Sequence, residues 1–240
     1  MFRPIYEPRN RAREYCDLAI NIYDGCSHGC TYCYARKMAS RFRIPYNETP
    51  KPREDIVEAV RLQIERGKIR DKKIMLCFTC DPYPADVDTM GTIATREVIK
   101  AIKNTGNYVQ ILTKGGEEAQ RDFDILDAGD SFGVTITGGG FTREPGAAIE
   151  LDRLENLMKA KERGISTWVS MEPVYSPDII YKIITVCDYI DMFRIGKLNY
   201  EKSDIDWAEF GIICEQLCRR YSRNYYLKED LRALMEAPTP

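Results

Sequence analysis

Three cysteines fall within eight residues of the string Gly25-Cys26-Ser27-His28-Gly29-Cys30-Thr31-Tyr32-Cys33-Tyr34-Ala35-Arg36. Their spacing is C-x3-C-x2-C, and a short glycine-containing loop can turn three thiolates so spaced toward one point. Three soft thiolates suit an iron–sulfur cluster or a zinc ion, and both ordinarily take four ligands. The fourth is missing from the string. If a four-iron cluster binds here, one iron keeps a position open for a small molecule, a catalytic arrangement rather than a structural one.

The rest of the chain reads as a frame for that loop. Ala19–Tyr23 is the first expected strand and leads into the cysteines; Tyr34–Phe42 is helix-tolerant. Apolar residues at Ile56, Val57, Val60 and Ile64 follow helical spacing, with a stop at Gly67. Strands are then expected at Lys73–Phe78, Tyr108–Leu112, Phe132–Thr137, Ser166–Met171 and Tyr189–Ile195. Helices are expected between them at Ile93–Ile102, Glu117–Ala128, 151–164 and Asp178–Thr185, and after them at Trp207–Tyr221. Strands alternating with helices call for a parallel sheet with right-handed crossovers, about six βα units in all.

At 240 residues one domain is the default. It divides into an irregular, basic leader (1–16) running over the surface, a core over about 17–200, and a C-terminal helix and tail over about 201–240. No apolar run approaches the ~18 residues of a membrane span, and the N-terminus lacks the apolar core of a signal peptide. Nine cysteines, an odd number, argue for reduced thiols in a cytoplasmic setting over a disulfide framework. The charge is uneven: residues 1–53 hold ten Lys/Arg against five Asp/Glu, and the remainder 25 against 32. A basic segment beside the cysteine loop suits a nucleic-acid backbone as well as a solvated surface. His28, the only histidine, lies inside the loop, which excludes a Ser–His–Asp hydrolase.

In parallel α/β folds the reactive residues gather at the C-terminal ends of strands. These ends read Thr79-Cys80-Asp81-Pro82-Tyr83, Thr113-Lys114-Gly115-Gly116, Thr135-Ile136-Thr137 before three glycines, Ser170-Met171-Glu172-Pro173 and Arg194-Ile195-Gly196-Lys197. Cys80 and Tyr83 are the candidate catalytic thiol and phenol. Cys77 and Cys80 are spaced like a metal knuckle, but on a strand they point to opposite faces. Cys214 and Cys218 lie one helical turn apart and, with Cys16 or Cys187, are candidates for a second cluster.

The cysteine string, with Tyr32 before its last cysteine, resembles the signature of the radical S-adenosylmethionine (SAM) enzymes. Its extension from Asn21 to Arg36 is similar to the branch related to spore photoproduct lyase, as are Asp81-Pro82-Tyr83, Leu112-Thr113-Lys114 and Arg143-Glu144-Pro145-Gly146-Ala147. The resemblance implies a partial (β/α)6 barrel of the TIM type. It implies a 4Fe-4S cluster on Cys26, Cys30 and Cys33, with SAM on the open iron. SAM would be contacted by Tyr32, Asp81, Lys114, Glu144 and a hydroxyl of Thr135 or Thr137. Reductive cleavage to a 5′-deoxyadenosyl radical would follow, with an external donor such as a flavodoxin or ferredoxin, in a monomer acting on a DNA lesion or modified nucleotide. The family's hydrogen-donor cysteine falls where this chain has Phe78; Cys77 and Cys80 flank that position, and Cys80 is taken as the candidate donor. The alternatives are a small-molecule or peptide substrate, a zinc module without catalysis, and a nucleic-acid binder without SAM cleavage.

Overall fold

A computed structural model describes residues 3–84 and 89–236; the first two residues of the expected leader and the last four of the expected tail lie outside them. The elements in order are β1 (Ile5–Tyr6), a 3-10 helix (Asn10–Glu14), β2 (Leu18–Ile20), β3 (Tyr23–Asp24), α1 (Tyr34–Phe42), β4 (Lys51–Pro52), α2 (Ile56–Gly67) and β5 (Lys73–Leu76). There follow α3 (Thr89–Lys103), β6 (Tyr108–Thr113), a second 3-10 helix (Glu117–Ile125), β7 (Ser131–Thr135), α4 (Gly140–Arg143), α5 (Glu150–Glu162) and β8 (Ser166–Met171). The last are α6 (Pro177–Val186), β9 (Met192–Ile195), α7 (Trp207–Arg220), β10 (Tyr225–Leu227) and α8 (Glu229–Met235).

Eight strands form one sheet in the order β1-β2-β5-β6-β7-β8-β9-β10. From β2 to β10 every pairing is parallel; β1 alone is antiparallel, Ile5 facing Ile20 and Tyr6 facing Ala19. This is the expected partial barrel of the TIM type. Strand residues alternate between its two faces. Ile74 and Leu76 join the larger core beneath the helices, with Val109, Ile111, Phe132, Val134, Val169 and Phe193. Met75, Ala19 and Trp168 form a smaller cluster on the inner face. The helices turn their apolar stripes onto the outer core: Ile56, Val60 and Ile64 of α2, Ile180, Ile183 and Ile184 of α6, Phe210, Cys214 and Cys218 of α7.

Three expectations are corrected. The leader does not stay on the surface, because Tyr15 and Cys16 join the inner cluster with Phe78 and Leu112. The Tyr15 ring meets Phe78 and Trp168, each with centroids 6.0 Å apart, and its hydroxyl reaches Ser170 Oγ (2.9 Å) and donates to Glu172 Oε2 (3.1 Å). An aromatic this large is stabilised by covering the inner sheet face that the helices leave bare. The tail after Tyr225 is a further strand and helix, with β10 pairing in parallel with β9. The helix expected at Glu117–Ala128 is of the 3-10 kind. Of the cysteines named for a second cluster, Cys187, Cys214 and Cys218 are buried in the outer core while Cys16 lies at the inner face. No helix among the described residues is long and apolar enough to cross a membrane.

Gly133 belongs to the inner face, where Trp168 stands over it; a Cβ at Gly133 would lie 2.2 Å from Trp168 Cε2. The indole nitrogen is meanwhile tied to the Ile111 carbonyl at 3.0 Å. Gly133→Ala is therefore expected to cost about 1–3 kcal/mol through overpacking, read as a lower urea midpoint. Burial also pushes Cys16, Cys218 and Tyr23 up to about 12. A free thiol titrates near ~8.5, so the thiols' contribution is fully present below that pH and is lost as pH rises through about 12. Thermal melts of metal-free protein should fall steadily across this alkaline window.

Candidate functional site

The loop is built by the way the chain leaves the sheet. At the end of β2, Asn21 Oδ1 accepts the backbone N–H of Phe78 (2.8 Å) and of Thr79 (2.9 Å), and its Nδ2 donates to Tyr6 Oη (3.0 Å). This locks the end of β2 to the end of β5, so the loop begins at the C-terminal edge of the sheet. The short β3–β4 pairing, Tyr23 with Pro52 and Asp24 with Lys51, closes its base. Gly25 then turns with φ +92°, and any Cβ there would lie 2.0 Å from the Asn47 carbonyl, which accepts from Cys26 N (3.0 Å). On the other side, the connection from β7 to α5 holds the loop: Gly146 N donates to the His28 carbonyl (2.9 Å) and Thr31 N to the Arg143 carbonyl (2.9 Å). A Cβ at Gly146 would stand 2.4 Å from the Ser27 carbonyl, so glycine permits this approach.

Within this frame Cys30 is buried, and Cys26 and Cys33 are half-buried. Burial, reinforced by Asp81, pushes the Cys26 thiol up to about 12. Burial also raises Cys30, against the pull of Lys114.

Four residues expected from the sequence converge here. Asp81 is saturated by protein donors: Oδ1 accepts from Tyr83 N (2.8 Å) and Thr113 Oγ1 (2.6 Å), and Oδ2 from Lys114 N (2.9 Å). Its Oδ2 also lies 3.5 Å from His28 Nδ1. Asp81 thus ties β5, β6 and the cysteine loop together. Tyr32 donates its hydroxyl to Glu144 Oε1, and Glu144 Oε2 pairs with Arg153 Nη2 at 2.6 Å, both side chains out of water. Arg153 spends its other donors on the carbonyls of Ala148 and Thr135, each at 2.8 Å. Lys114 lies over the Tyr32 ring, 5.6 Å from its centroid, and its ammonium has no hydrogen-bond or ion-pair partner among the described residues. Burial works against that charge, but Cys30 first, then Glu144 and Asp81, raise it above the ordinary lysine range.

Others of the expected set lie elsewhere. Tyr83 is fully buried in the outer core with Arg121 4.9 Å above its ring and Asp122 near its hydroxyl, so it is not brought to the cysteine loop. Its backbone N–H is held by Asp81 Oδ1 (2.8 Å), while its ring packs with the outer core. Cys80 is half-buried at the edge of the outer core. Cys77 adopts φ +69°, which ends the strand at Leu76. Burial, then the neighbouring Cys80, raise its thiol, and both cysteines belong to the outer core. Thr135 shares the inner parity with Gly133, while the Thr137 hydroxyl donates to Glu150 Oε1 (3.1 Å) at the start of α5. Arg153 and His28 are functional-site residues that sequence reasoning left without a role. The signal for Arg153 was available, since it sits on the same helical stripe as Leu157 and Ala160.

Three thiols without a fourth make a donor set suited to iron or zinc. Ser27 Oγ and His28 Nε2 are buried beside them with no partner, the condition expected where a bound group completes the site. Among the described residues no three His, Cys, Asp or Glu side chains already enclose a metal-sized point, so ligation would require the thiols to turn inward together. On donor chemistry the residues fit.

A sequence model of the Radical SAM superfamily matches residues 20–182. An uncharacterized protein of Methanocaldococcus jannaschii is 27% identical over 169 residues, 67% of this chain and 61% of that protein; the match thus spans less than two thirds of that relative's length. Among solved structures, a cysteine-to-serine variant of spore photoproduct lyase superposes with a TM-score of 0.70 at 14% identity, over 91% of this chain and 78% of that one. A doubly substituted form with bound AdoMet and dinucleoside spore photoproduct gives 0.68 at 14%, with the same coverage. Streptococcus suis SuiB bound to S-adenosylmethionine gives 0.58 at 12%, over 87% of this chain and 46% of that one. At such identities the likeness is one of fold.

The Glu144–Arg153 pair is buried on both sides. Arg153→Met, which strands the carboxylate, is expected to cost about 3–5 kcal/mol, whereas Glu144→Gln combined with Arg153→Met should recover part of it. Urea midpoints of the two variants decide this.

Proposed function

The chain belongs to the Radical SAM superfamily, and we propose that it holds a 4Fe-4S cluster on Cys26, Cys30 and Cys33 and binds SAM at the open iron. When bound, this pair supplies a 5′-deoxyadenosyl radical by one-electron reduction of SAM, and with it hydrogen-atom abstraction from a substrate. The observation that carries the reading is the unpaired Lys114 ammonium beside the buried Cys30, in a loop pinned on two sides. A cation so placed calls for an anion, and the carboxylate of SAM is one. Tyr32 is held by Glu144 with its ring beneath that ammonium, and so offers a fixed wall for the adenine end. Asp81 and Glu144 act as braces, since their oxygens are taken by protein donors. Thr135, on the inner face, is placed better than Thr137 for a further cofactor contact. Cys80 is the candidate to return a hydrogen atom to the product radical; Tyr83, in the outer core, is given no catalytic part. The electron comes from an external carrier of the flavodoxin or ferredoxin kind.

A DNA lesion or modified nucleotide is the first substrate class. The basic segment 1–53 supports it, as does a fold shared with spore photoproduct lyase, which has been solved with dinucleoside spore photoproduct. A small molecule or peptide is the second. It is favoured by the inner face itself, where Tyr15, Cys16, Phe78 and Trp168 already occupy space.

Anaerobically reconstituted protein, reduced with dithionite and given SAM, is expected to form 5′-deoxyadenosine. Cys30→Ala should lose both iron and product. Lys114→Met should keep its iron and bind SAM about 10- to 100-fold more weakly, the cost of losing one charge-assisted contact. Protein that takes up zinc and no iron would overturn the reading.

A further inference from the structure

α1 begins at the residue after Cys33 and presents an unusual outer face. Tyr34, Met38 and Phe42 recur at four-residue intervals and so share one stripe; Tyr34 anchors its start by donating to the Phe78 carbonyl (2.7 Å), while Met38 and Phe42 are 44% and 63% exposed and Ile44 beyond them is 60% exposed. Residues 34–53 carry six Lys/Arg and one Asp/Glu. Arg41 and Arg43, on either side of Phe42, are exposed and form no ion pair among the described residues. Lys37 has only Glu201, at 4.0 Å. The chain then turns back along the cysteine loop: Tyr46 Oη lies 3.9 Å from Cys33 Sγ, its ring is 5.5 Å from the Arg36 guanidinium, and Asn47 accepts from Cys26 N. Segment 44–48 therefore lies against Cys33 and Cys26 from outside, while Lys114 and Glu144 face Cys30.

An exposed apolar stripe rimmed by free cations marks an interaction surface. Its composition decides the kind of partner. Met, Phe and Arg are the residues enriched in protein interfaces, whereas of Met38, Phe42 and Ile44 only Phe42 has a π-face, where a nucleic-acid platform stacks successive bases on several. Unpaired arginines select an acidic partner and speed its encounter. We propose that the face formed by Met38, Arg41, Phe42, Arg43 and Ile44 docks a small acidic one-electron carrier protein, with Tyr46 between it and Cys33. The proposal rests on the function given above, since only a chain that must be reduced has use for such a partner. In the exchange no bond forms or breaks between the proteins. An anionic flavin hydroquinone on the carrier loses one electron, keeps its proton and becomes the neutral semiquinone, and the cysteine-held centre gains that electron.

The test titrates an acidic flavodoxin against reconstituted protein at about 50 and 300 mM salt, for the wild type, Arg41→Glu/Arg43→Glu and Phe42→Ala. Salt-dependent binding is expected, weakened about tenfold or more by the charge reversal at low salt and weakened by Phe42→Ala at both salts. Flavodoxin-driven reduction should slow in parallel, with dithionite-driven 5′-deoxyadenosine formation unchanged in all three proteins. Flavodoxin binding indifferent to both variants overturns the proposal. So does binding of a single-stranded oligonucleotide, and not flavodoxin, to this face. Wild-type protein that binds flavodoxin with these dependences but forms no 5′-deoxyadenosine with dithionite leaves the docking face standing and overturns the assigned reaction instead.

Discussion

A guanidinium and a carboxylate removed together from water hold this site in one piece. Arg153 arrives on α5, Glu144 on the connection that follows β7, and the pair at 2.6 Å sets the height of that connection against the sheet. Glu144 fixes the Tyr32 hydroxyl, and the carbonyls of Arg143 and His28 exchange hydrogen bonds with Thr31 and Gly146 across the same junction. Two buried charges are tolerable only when every other donor and acceptor is also met, and Arg153 meets this through the carbonyls of Ala148 and Thr135. The cysteine loop depends on a helix more than a hundred residues away in sequence.

The second constraint is the inner face of the sheet. Helices cover the outside of a partial barrel, but nothing in the βα repeat covers the inside. Here the N-terminal segment does so, with Tyr15 set between Trp168 and Phe78 and its hydroxyl on Ser170 and Glu172. Lys228, from the far end of the chain, pairs with the same Glu172 at 2.7 Å and lies 4.3 Å from the Tyr15 ring centroid. Tyr15 and Lys228 thus meet over the inside of the barrel, which limits the room left for a substrate.

Electrostatics follow from these placements. The Cys26 and Cys30 thiols are raised by desolvation, and the nearby Lys114 ammonium opposes that rise at Cys30. Asp81 has both oxygens occupied by protein donors while remaining close to His28. At this site the lysine is left without a partner among the described residues, and it lies over the Tyr32 ring.

What the sequence by itself determined is what short range controls. The C-x3-C-x2-C spacing, the helix of Tyr34–Phe42 and the strand Ser166–Met171 were legible because each depends on residues a few positions apart. So were the polar strand ends at Asp81 and Lys114, because a parallel sheet sends its strand ends to one edge. Only the tertiary structure decided where Tyr15 would lie, that Tyr225–Leu227 would extend the sheet, that Tyr83 would pack in the outer core, and that Cys77 would end its strand in a left-handed turn. These outcomes rest on which face remained uncovered and on which distant side chains were there to cover it. Such competition among distant residues leaves no periodic trace in the string of residues that takes part in it.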